Sequence, residues 1–292
     1  MHGFDAGVTL TSVHDSSAGW YTLVTTAGSY TFSRHFSTDI SMPVYLYRLA
    51  ETDSTTTSNQ PPAPGQPSGP VTTTTATTLQ PHTWDPGDLI LAGHATFSSA
   101  RWFDTFTPSL TLPSGDANTG LSTGRVTFDF DNHLQAPLFA RTSGLLDIGI
   151  GDSSNLVNRL VTRDYTSLGP LAHFQLGIVV PLALPLANRS SFQTVAYEEL
   201  PLGDQKIYTT LTRPGYPDLT VVSGRSVSED NGFTSSLFLP LTNHLTLQGY
   251  YNRSLRLHLD TAAVGISWSL RGQRPRKKRA PSLLDPLLAG KE

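Results

Sequence analysis

The chain lacks cysteine altogether, and only 15% of its 292 residues are charged. The absence of cysteine excludes a disulfide scaffold and any metal site built on thiolates. Charged residues make up roughly 25% of an ordinary soluble domain, so a soluble surface of the usual kind is not expected. The net charge of −3 gives the body of the chain no attraction to nucleic acid, and no nucleic-acid partner is expected.

Long apolar runs are also missing. A helix that spans a bilayer needs about 20 apolar residues in succession. The nearest approach, LGIVVPLALPLA at 176–187, is short and is interrupted by Pro181 and Pro185. The opening MHGFDAG has neither the basic nor the apolar segment of a signal peptide. Three explanations stay open: a cytoplasmic protein, a leader that has been removed, or a start codon further upstream.

The dominant pattern along the chain is an alternation of apolar and polar residues. It is clearest at 102–112, 125–131, 233–241 and 262–270. Such alternation is typical of half-buried antiparallel strands. Several of these segments are longer than the roughly 5–6 residues of a globular strand. They approach the roughly 9–11 residues of a strand that crosses an outer membrane.

The two faces of these segments differ as they do in membrane barrels. One face is aliphatic and aromatic, and the other is Thr, Ser, Gly, Asp, Arg and Gln with few Lys or Glu. Strands of a transmembrane barrel place apolar residues against lipid and polar residues inside. Aromatic residues near the segment ends suit interfacial girdles; they are Trp20, Tyr21, Tyr45, Tyr47, Trp102, Tyr250, Tyr251 and Trp268.

The sequence therefore predicts an all-β fold, an antiparallel up-and-down transmembrane β-barrel. About 12 strands are expected, or 14 if 190–210 and 218–241 each break into two. Residues 1–270 form a single domain in this interpretation. The Thr/Pro-rich segment 51–86 is predicted to be a disordered loop insertion, because it cannot bury apolar surface. The basic segment 271–292 is predicted to be a flexible tail.

One histidine-centred motif occurs three times, as FSRHF around His35, FDNHL around His133 and LTNHL around His244. A shared metal or catalytic site of the three histidines is one interpretation. The other is architectural, with each motif forming a short turn between two strands on the periplasmic side. The strand count favours turns, because they would be dispersed around the wall. Zinc would also lack a fourth ligand, and no metal or cofactor is expected.

A glycine-rich segment, LPSGDANTGLSTGR at 112–125, resembles the LPTGD…GLGTG loop of porin-like outer-membrane barrels of the meta-pathway phenol-degradation family. The matching positions are Leu112, Pro113, Gly115, Asp116, Gly120, Leu121, Thr123 and Gly124. Ser114 and Ser122 replace the family's usual Thr and Gly. A phosphate-binding loop is excluded, because Leu121 stands where the lysine is required and a strand follows. The resemblance implies a channel-like barrel that helps to import aromatic or other small apolar compounds.

The predicted function is a passive porin-like channel in the outer membrane of a Gram-negative-type bacterium. The residues expected to line its polar interior include Arg125, Thr127, Asp129, Thr246 and Gln248. Pore width and lining charge would set its selectivity. The expected partners are outer-membrane lipid, a small solute and the machinery that inserts barrels. The protein is not expected to be an enzyme.

Two alternative functions stay open. An outer-membrane hydrolase would use Ser254, His258 and Asp260, with Asn252 nearby, as a catalytic set near the outer rim. A secreted soluble β-sandwich would act as a binding module and would pack its apolar faces against one another.

Acidic residues near the predicted loops raise a further hypothesis, a divalent-cation site. The residues concerned are Glu198, Glu199, Asp204, Glu229 and Asp230. Their spacing is not that of an EF-hand. Solvated loop carboxylates are the favoured interpretation.

Overall fold

The residues that the structure describes form sixteen β-strands. The computed structural model describes residues 3–16, 19–58, 72–99, 101–115, 121–122, 126–139, 141–151, 171–184, 187–202, 206–211, 219–224, 229–256 and 258–270. The strands are β1 (Gly3–Asp15), β2 (Gly19–Thr31), β3 (Phe36–Ser58), β4 (Thr72–His82), β5 (Asp85–Pro86), β6 (Leu89–Ser98), β7 (Phe103–Leu112), β8 (Thr127–Phe139), β9 (Thr142–Gly151), β10 (Leu171–Leu184), β11 (Ala187–Pro201), β12 (Lys206–Leu211), β13 (Leu219–Gly224), β14 (Asp230–Pro240), β15 (Leu245–Ser254) and β16 (Asp260–Ser269). No helix in the described ranges is long and apolar enough to cross a bilayer.

Twelve of the strands close into one barrel. Going round the wall they follow chain order, β1–β2–β3–β6–β7–β8–β9–β10–β11–β14–β15–β16, and β16 pairs with β1. All of these pairings are antiparallel. A strand of about ten residues, tilted by roughly 40°, spans about 25 Å, the height of an outer-membrane apolar band. The predicted up-and-down barrel is confirmed, and the closed wall excludes a β-sandwich.

The remaining four strands lie outside the barrel circuit. β4 and β5 both pair with β3, which continues beyond the wall. β12 and β13 pair with each other in the connection between β11 and β14. The segments 190–210 and 218–241 therefore break into two strands each, but the additional pair is a hairpin between wall strands. The barrel wall therefore has 12 strands, the lower of the two predicted numbers.

The segment predicted to be a disordered insertion, 51–86, contains paired strand residues at both of its ends. β3 runs to Ser58, and Thr72 of β4 stands opposite that residue. Threonine is β-branched and favours extended strands, which suits this Thr-rich ladder. Residues 59–71 lie outside the described residues, as does the predicted tail 271–292. The single-domain boundary at residue 270 stays a prediction.

The connections differ in length between the two ends of the barrel. Those that follow β2, β6, β8, β10 and β14 span no more than four residues, and they lie at the end where β1 begins and β16 ends. The connections after β3, β7, β9 and β11 are much longer and lie at the opposite end, together with two short ones of three and five residues after β1 and β15. Outer-membrane barrels have short periplasmic turns and longer extracellular loops. We refer to the two ends as the short-turn end and the long-loop end.

The turn interpretation is confirmed for two of the three histidine motifs. In FSRHF, Ser33 Oγ accepts hydrogen bonds from the backbone N–H groups of His35 and the next residue, both at 3.1 Å. In LTNHL, Thr242 Oγ1 accepts the equivalent bonds from His244 and the next residue at 3.1 and 3.0 Å. A hydroxyl at the second position of the motif therefore closes each turn.

The imidazole rings of these two turns bond to the neighbouring strand. His35 Nδ1 lies 2.9 Å from the carbonyl oxygen of Thr96, and His244 Nδ1 lies 2.9 Å from that of Ser269. The backbone carbonyls of the same two histidines accept the N–H groups of Thr96 and Ser269, at 2.7 and 3.0 Å. The two turns are about 20 Å apart around the wall, since four strand spacings separate them. A site shared between them is therefore excluded by distance.

The turn prediction for the third motif is wrong. FDNHL lies inside β8, which continues to Phe139. The second position of this motif is Asp131, a buried residue, so no hydroxyl is available there to close a turn. His133 is instead hydrogen-bonded to Asp147 on the adjacent strand β9. The polar alternation of β8 continues through the motif without a glycine or proline to end the strand.

The exterior of the barrel is apolar between two aromatic girdles. The exposed aliphatic side chains of the belt include Val8, Leu10, Ile40, Leu110, Ile148, Ile150, Leu176, Val264 and Ile266. The exposed aromatic residues towards the short-turn end include Phe4, Tyr30, Phe32, Phe36, Phe97, Trp102, Phe139 and Trp268. Those towards the long-loop end include Trp20, Tyr47, Phe128, Phe174, Phe233 and Tyr251. This arrangement is typical of a wall that contacts lipid.

Three of the aromatic residues predicted for the girdles face the interior. Tyr21 and Tyr45 are buried, and Tyr250 packs against the same interior cluster. Tyr21 lies near the start of β2, whereas Tyr45 and Tyr250 lie within β3 and β15, and all three are on the inward-facing side of the pleat.

Gly177 of β10 provides a test of the wall. A Cβ at this position would lie 2.1 Å from the carbonyl oxygen of Thr194 on β11. We expect Gly177→Ala to force the two strands apart and to destabilise the barrel by about 1–3 kcal/mol. The measurement is the temperature at which the folded band on an unheated gel converts to the unfolded one. Gly249→Ala is the control, because the nearest atom there is 3.9 Å away; equal losses in both variants would contradict the geometry.

Candidate functional site

The interior face of the barrel is polar on most of the described strands. On β8, Thr127 is 1% exposed while the adjacent Phe128 is 51% exposed. The same alternation continues through buried Asp129 and Asp131, with exposed Phe130 between them. Successive side chains of a strand point to opposite faces. The threonine and the two aspartates therefore point into the barrel, and the phenylalanines point to lipid.

Four of the five residues predicted to line the interior are described by the structure. Thr127 and Asp129 are buried in the barrel. Thr246 and Gln248 are partly exposed and share one face of β15. Arg125 lies outside the described residues. Their role in lining a pore stays a prediction.

Carboxylates and one histidine form a row across five neighbouring strands. Asp131 on β8 stands opposite Gly149 on β9, which stands opposite His173 on β10. His173 in turn stands opposite Glu199 on β11, and Glu199 stands opposite Asp230 on β14. The four polar side chains are all buried. We call Asp131, His173, Glu199 and Asp230 the acidic row.

Two glycines on β9 make room for these side chains. A Cβ on Gly149 would lie 2.0 Å from His173 Nε2, and a Cβ on Gly151 would lie 2.2 Å from Asp129 Oδ1. Because β9 has no side chains there, His173 reaches across it to Asp131, with an Nε2–Oδ1 distance of 3.2 Å. In DIGIGD the two glycines thus leave space on the inner face of the wall, while the two isoleucines are exposed on its outer face.

Asp230, at one end of the acidic row, and Asp129, beside the other end, differ in the hydrogen bonds that their carboxylates accept. Asp230 accepts a hydrogen bond from Ser254 Oγ at 2.5 Å and another from the Tyr197 hydroxyl at 3.3 Å. Asp129 lies beside the row towards the long-loop end, and its Oδ1 has no hydrogen-bond partner within the described part of the chain. The hydroxyl of Thr127, on the same face, is in the same situation. A buried polar atom without a partner costs about 1–3 kcal/mol.

Two further histidines on the inward face also pair with aspartates. His133 on β8 bonds to Asp147. His94 on β6 bonds to Asp39 of β3, and its Nδ1 lies 3.0 Å from Thr107 Oγ1. With His173 they form a belt of imidazole–carboxylate pairs from β3 to β10. The side chains of this belt are held in place by their mutual hydrogen bonds.

The opposite side of the interior is apolar near the long-loop end. Val13, Tyr21, Leu23, Tyr45, Leu121 and Ala263 form a buried cluster, and Tyr250 packs against it. Leu121 comes from the connection between β7 and β8, and it is only 2% exposed. The guanidinium of buried Arg48 lies 5.6 Å from the centre of the Tyr45 ring. We call Val13, Tyr21, Leu23, Tyr45, Leu121, Ala263 and Tyr250, without the arginine, the apolar cluster.

The connection that provides Leu121 is fixed at its start. Asp88 Oδ1 accepts the backbone N–H groups of Ser114 and Gly115, both at 3.1 Å. Ser114 Oγ donates to the carbonyl oxygen of Gly87 at 2.8 Å. A Cβ on Gly115 would lie 2.6 Å from the carbonyl oxygen of Leu121, so a glycine is required where the connection folds back. Part of the segment that resembles the porin-like family is therefore folded into the barrel.

The structure does not bring the hydrolase residues together. Ser254 is buried and donates its hydroxyl to Asp230. His258 is exposed, with a φ of 55°, and no hydrogen bond joins it to Ser254 or Asp260 among the described residues. Asp260 instead accepts a tyrosine hydroxyl at 2.7 Å, and Asn252 donates to a threonine hydroxyl at 2.9 Å. Near neighbours in sequence thus point to different sides of the wall.

The carboxylates considered for a cation site are also separated. Glu198 and Glu199 are adjacent on β11, so their side chains leave opposite faces. Glu229 pairs with an arginine in the turn after β15, while Asp230 points inward. Asp204 lies outside the described residues. Within the described ranges, no three His, Cys, Asp or Glu residues are arranged to hold a metal ion.

No protein-family model matches the chain, and no curated protein matches its sequence. Among solved structures, an outer-membrane channel from Pseudomonas putida F1 is similar in fold, with 12% sequence identity and a TM-score of 0.55; the match covers 92% of this chain and 96% of that one. The P. putida toluene transporter TodX matches with 11% identity, a TM-score of 0.43 and coverage of 91% and 89%. The NanC porin matches with 7% identity, a TM-score of 0.48 and coverage of 90% and 100%.

At 12% identity the first of these similarities shows the fold alone. The fold is that of a porin-like outer-membrane β-barrel, as predicted. The apolar belt and its aromatic girdles agree with it, and together they make this chain an outer-membrane barrel protein.

The anchor of the β7–β8 connection can be tested at Asp88. Asp88→Ala leaves two backbone N–H groups without their acceptor, which costs about 1–3 kcal/mol. We expect faster tryptic cleavage after Arg125 in the folded protein, measured by mass spectrometry. Asp88→Asn is the matched control, because its Oδ1 can still accept both bonds. Equal cleavage rates in the two variants would show that the anchor does not hold the connection.

Proposed function

We propose that the chain is a passive channel that lets small solutes cross the outer membrane. The observation that supports this proposal most directly is the two-sided wall, with an apolar exterior and a polar interior face of Thr, Ser, Asp, His and Gln. Ionisable residues within the membrane-spanning part of a protein usually face a water-filled interior and mark the path of a solute or ion. The proposed lining includes Arg125, Thr127, Asp129, Thr246 and Gln248.

We propose that the passage is narrowest near the long-loop end. There the apolar cluster, with Leu121 at 2% exposure, covers the inner side of β1, β2, β3 and β16. The acidic row lies on β8 to β14, on the other side of the interior. A solute that enters from the long-loop end would pass between an apolar surface and a charged one. Pore width and lining charge at this level would set what passes.

The proposed solutes are small, and aromatic or apolar compounds are included. The resemblance of 112–125 to the meta-pathway phenol-degradation family supports this class, as do the interior tyrosines of the apolar cluster. Catalysis is not part of the proposal, since Ser254 and His258 are not in contact. Insertion into the membrane would use the barrel-insertion machinery.

The test is single-channel conductance of the purified protein in planar bilayers. We expect discrete conductance steps, and we expect Leu121→Ala to raise the step size by roughly 1.5- to 2-fold because it widens the narrow part. Leu176→Ala is the matched control, since that leucine is 65% exposed on the lipid face. Wild-type protein that folds and inserts without any conductance step would overturn the proposed function.

A further inference from the structure

We propose that the interior binds the cationic group of its solute, a primary ammonium or guanidinium, at Asp129 and the acidic row. The channel would then prefer cations to anions. The selectivity part of this proposal rests on the channel function proposed above, whereas the binding part does not.

The buried charge of the described interior is mostly negative: carboxylates outnumber the basic groups, although Asp131 and Asp147 are paired with imidazoles and Asp5 and Asp15 lie on β1. Buried carboxylates on β8 to β14 comprise Asp129, Asp131, Asp147, Glu199 and Asp230. Among the arginines and lysines whose side-chain burial the structure describes, Arg48 alone is buried, and it lies on β3 over the ring of Tyr45. Interior charges are only weakly screened by salt. The field on the β8–β14 side therefore attracts cations and repels anions.

Asp129 interacts with the backbone of Phe130 and with the imidazole of His173, but one of its carboxylate oxygens lacks a hydrogen bond among the described residues. The residue is 6% exposed, and its Oδ1 accepts no hydrogen bond in the described ranges. The nearby imidazole of His173 is directed to Asp131. A ligand N–H at Asp129 would form a charge-assisted hydrogen bond, which is about twice as strong as a neutral one.

The hydroxyl of Thr127, beside Asp129, limits which class of cation can bind. Thr127 lies two residues from Asp129 on the same face of β8, and its Oγ1 also lacks a partner in the described chain. A primary ammonium or a guanidinium has several N–H donors and can bond to both oxygens at once. A quaternary ammonium has none. A bare metal ion is disfavoured, because the described His, Asp and Glu residues are not grouped to coordinate one.

The apolar cluster would accommodate the rest of such a molecule. Its tyrosines, Tyr21, Tyr45 and Tyr250, lie on the strands across the interior from β8. An aromatic ring is compatible with that surface, and a cation near a tyrosine ring gains further attraction. The class of ligand is therefore a small amine with an aromatic or apolar body.

The binding test uses three probes that share one ring and differ in charge: benzylammonium, benzyl alcohol and benzoate. Each is titrated into the detergent-solubilised barrel in a calorimeter. We expect the wild type to bind benzylammonium most tightly and benzoate least. Asp129→Asn should weaken benzylammonium about 10-fold while leaving benzyl alcohol unchanged. Equal affinity for the three probes, or no binding of benzylammonium, would overturn the proposal.

The matched control is Asp104→Asn. It removes the same charge from a residue that is bonded to Asn132 towards the short-turn end, away from the acidic row. We expect it to keep the wild-type preference for benzylammonium. Glu199→Gln provides a second interior variant, so a folding defect of one substitution does not decide the outcome. Heat-modifiable gel migration verifies that every variant is folded.

The selectivity test is the reversal potential of the inserted channel across a KCl gradient. We expect a potential of the sign set by potassium, and a smaller one for Asp129→Asn and Glu199→Gln. Conductance without cation preference would overturn the selectivity while leaving the channel function intact. Absence of conductance would overturn the channel function, and the calorimetric result would still decide whether the interior binds an amine.

Discussion

The closed ring of paired strands is the constraint on which the rest of this structure depends. In hydrocarbon each unpaired N–H or C=O costs several kcal/mol, so the last strand has to pair with the first. Here Thr261 stands opposite Asp15 at one end of the seam, and the N–H of Leu270 bonds to the carbonyl of Ala6 at 2.8 Å at the other. Once the ring is closed, the pleat assigns every side chain either to lipid or to the interior. The interior chemistry follows from that assignment.

Closure also gives the interior two unlike regions near the long-loop end. Strands β1 to β3 and β16, together with Leu121, contribute the apolar cluster, while β8 to β14 contribute the acidic row. Buried Asp15 lies on β1 beside the first region, and a smaller apolar group, Leu145, Val179 and Val195, lies on β9 to β11. Gly149 and Gly151 lie at the centre of the second region, because their missing side chains let residues of β8 and β10 meet across β9. The proposed passage takes its properties from this contrast rather than from any one residue. Apolar contact on one side and charge on the other are compatible with a molecule that has both.

Alternation along a single strand was enough to predict which residues face lipid. Val264 and Ile266 are exposed as their segment indicated, and Thr127 and Asp129 are buried. The acidic row could not be predicted in the same way. Its members are neighbours only through the register of separate strands, as Glu199 and His173 are. Register depends on turn lengths and on closure of the whole wall, which no local pattern contains.

The two histidine turns have a consequence for the rim of the barrel. In the first turn, the imidazole of His35 bonds to the carbonyl of Thr96, and the carbonyl of His35 accepts the N–H of that same residue. His244 and Ser269 are bonded in the same way in the second turn. The side chain thus substitutes for a peptide N–H, and the turn residue prolongs the ladder by one rung. Histidine at this position takes the place of a backbone amide donor, because its imidazole bonds to the edge of the sheet where the main chain has already turned away.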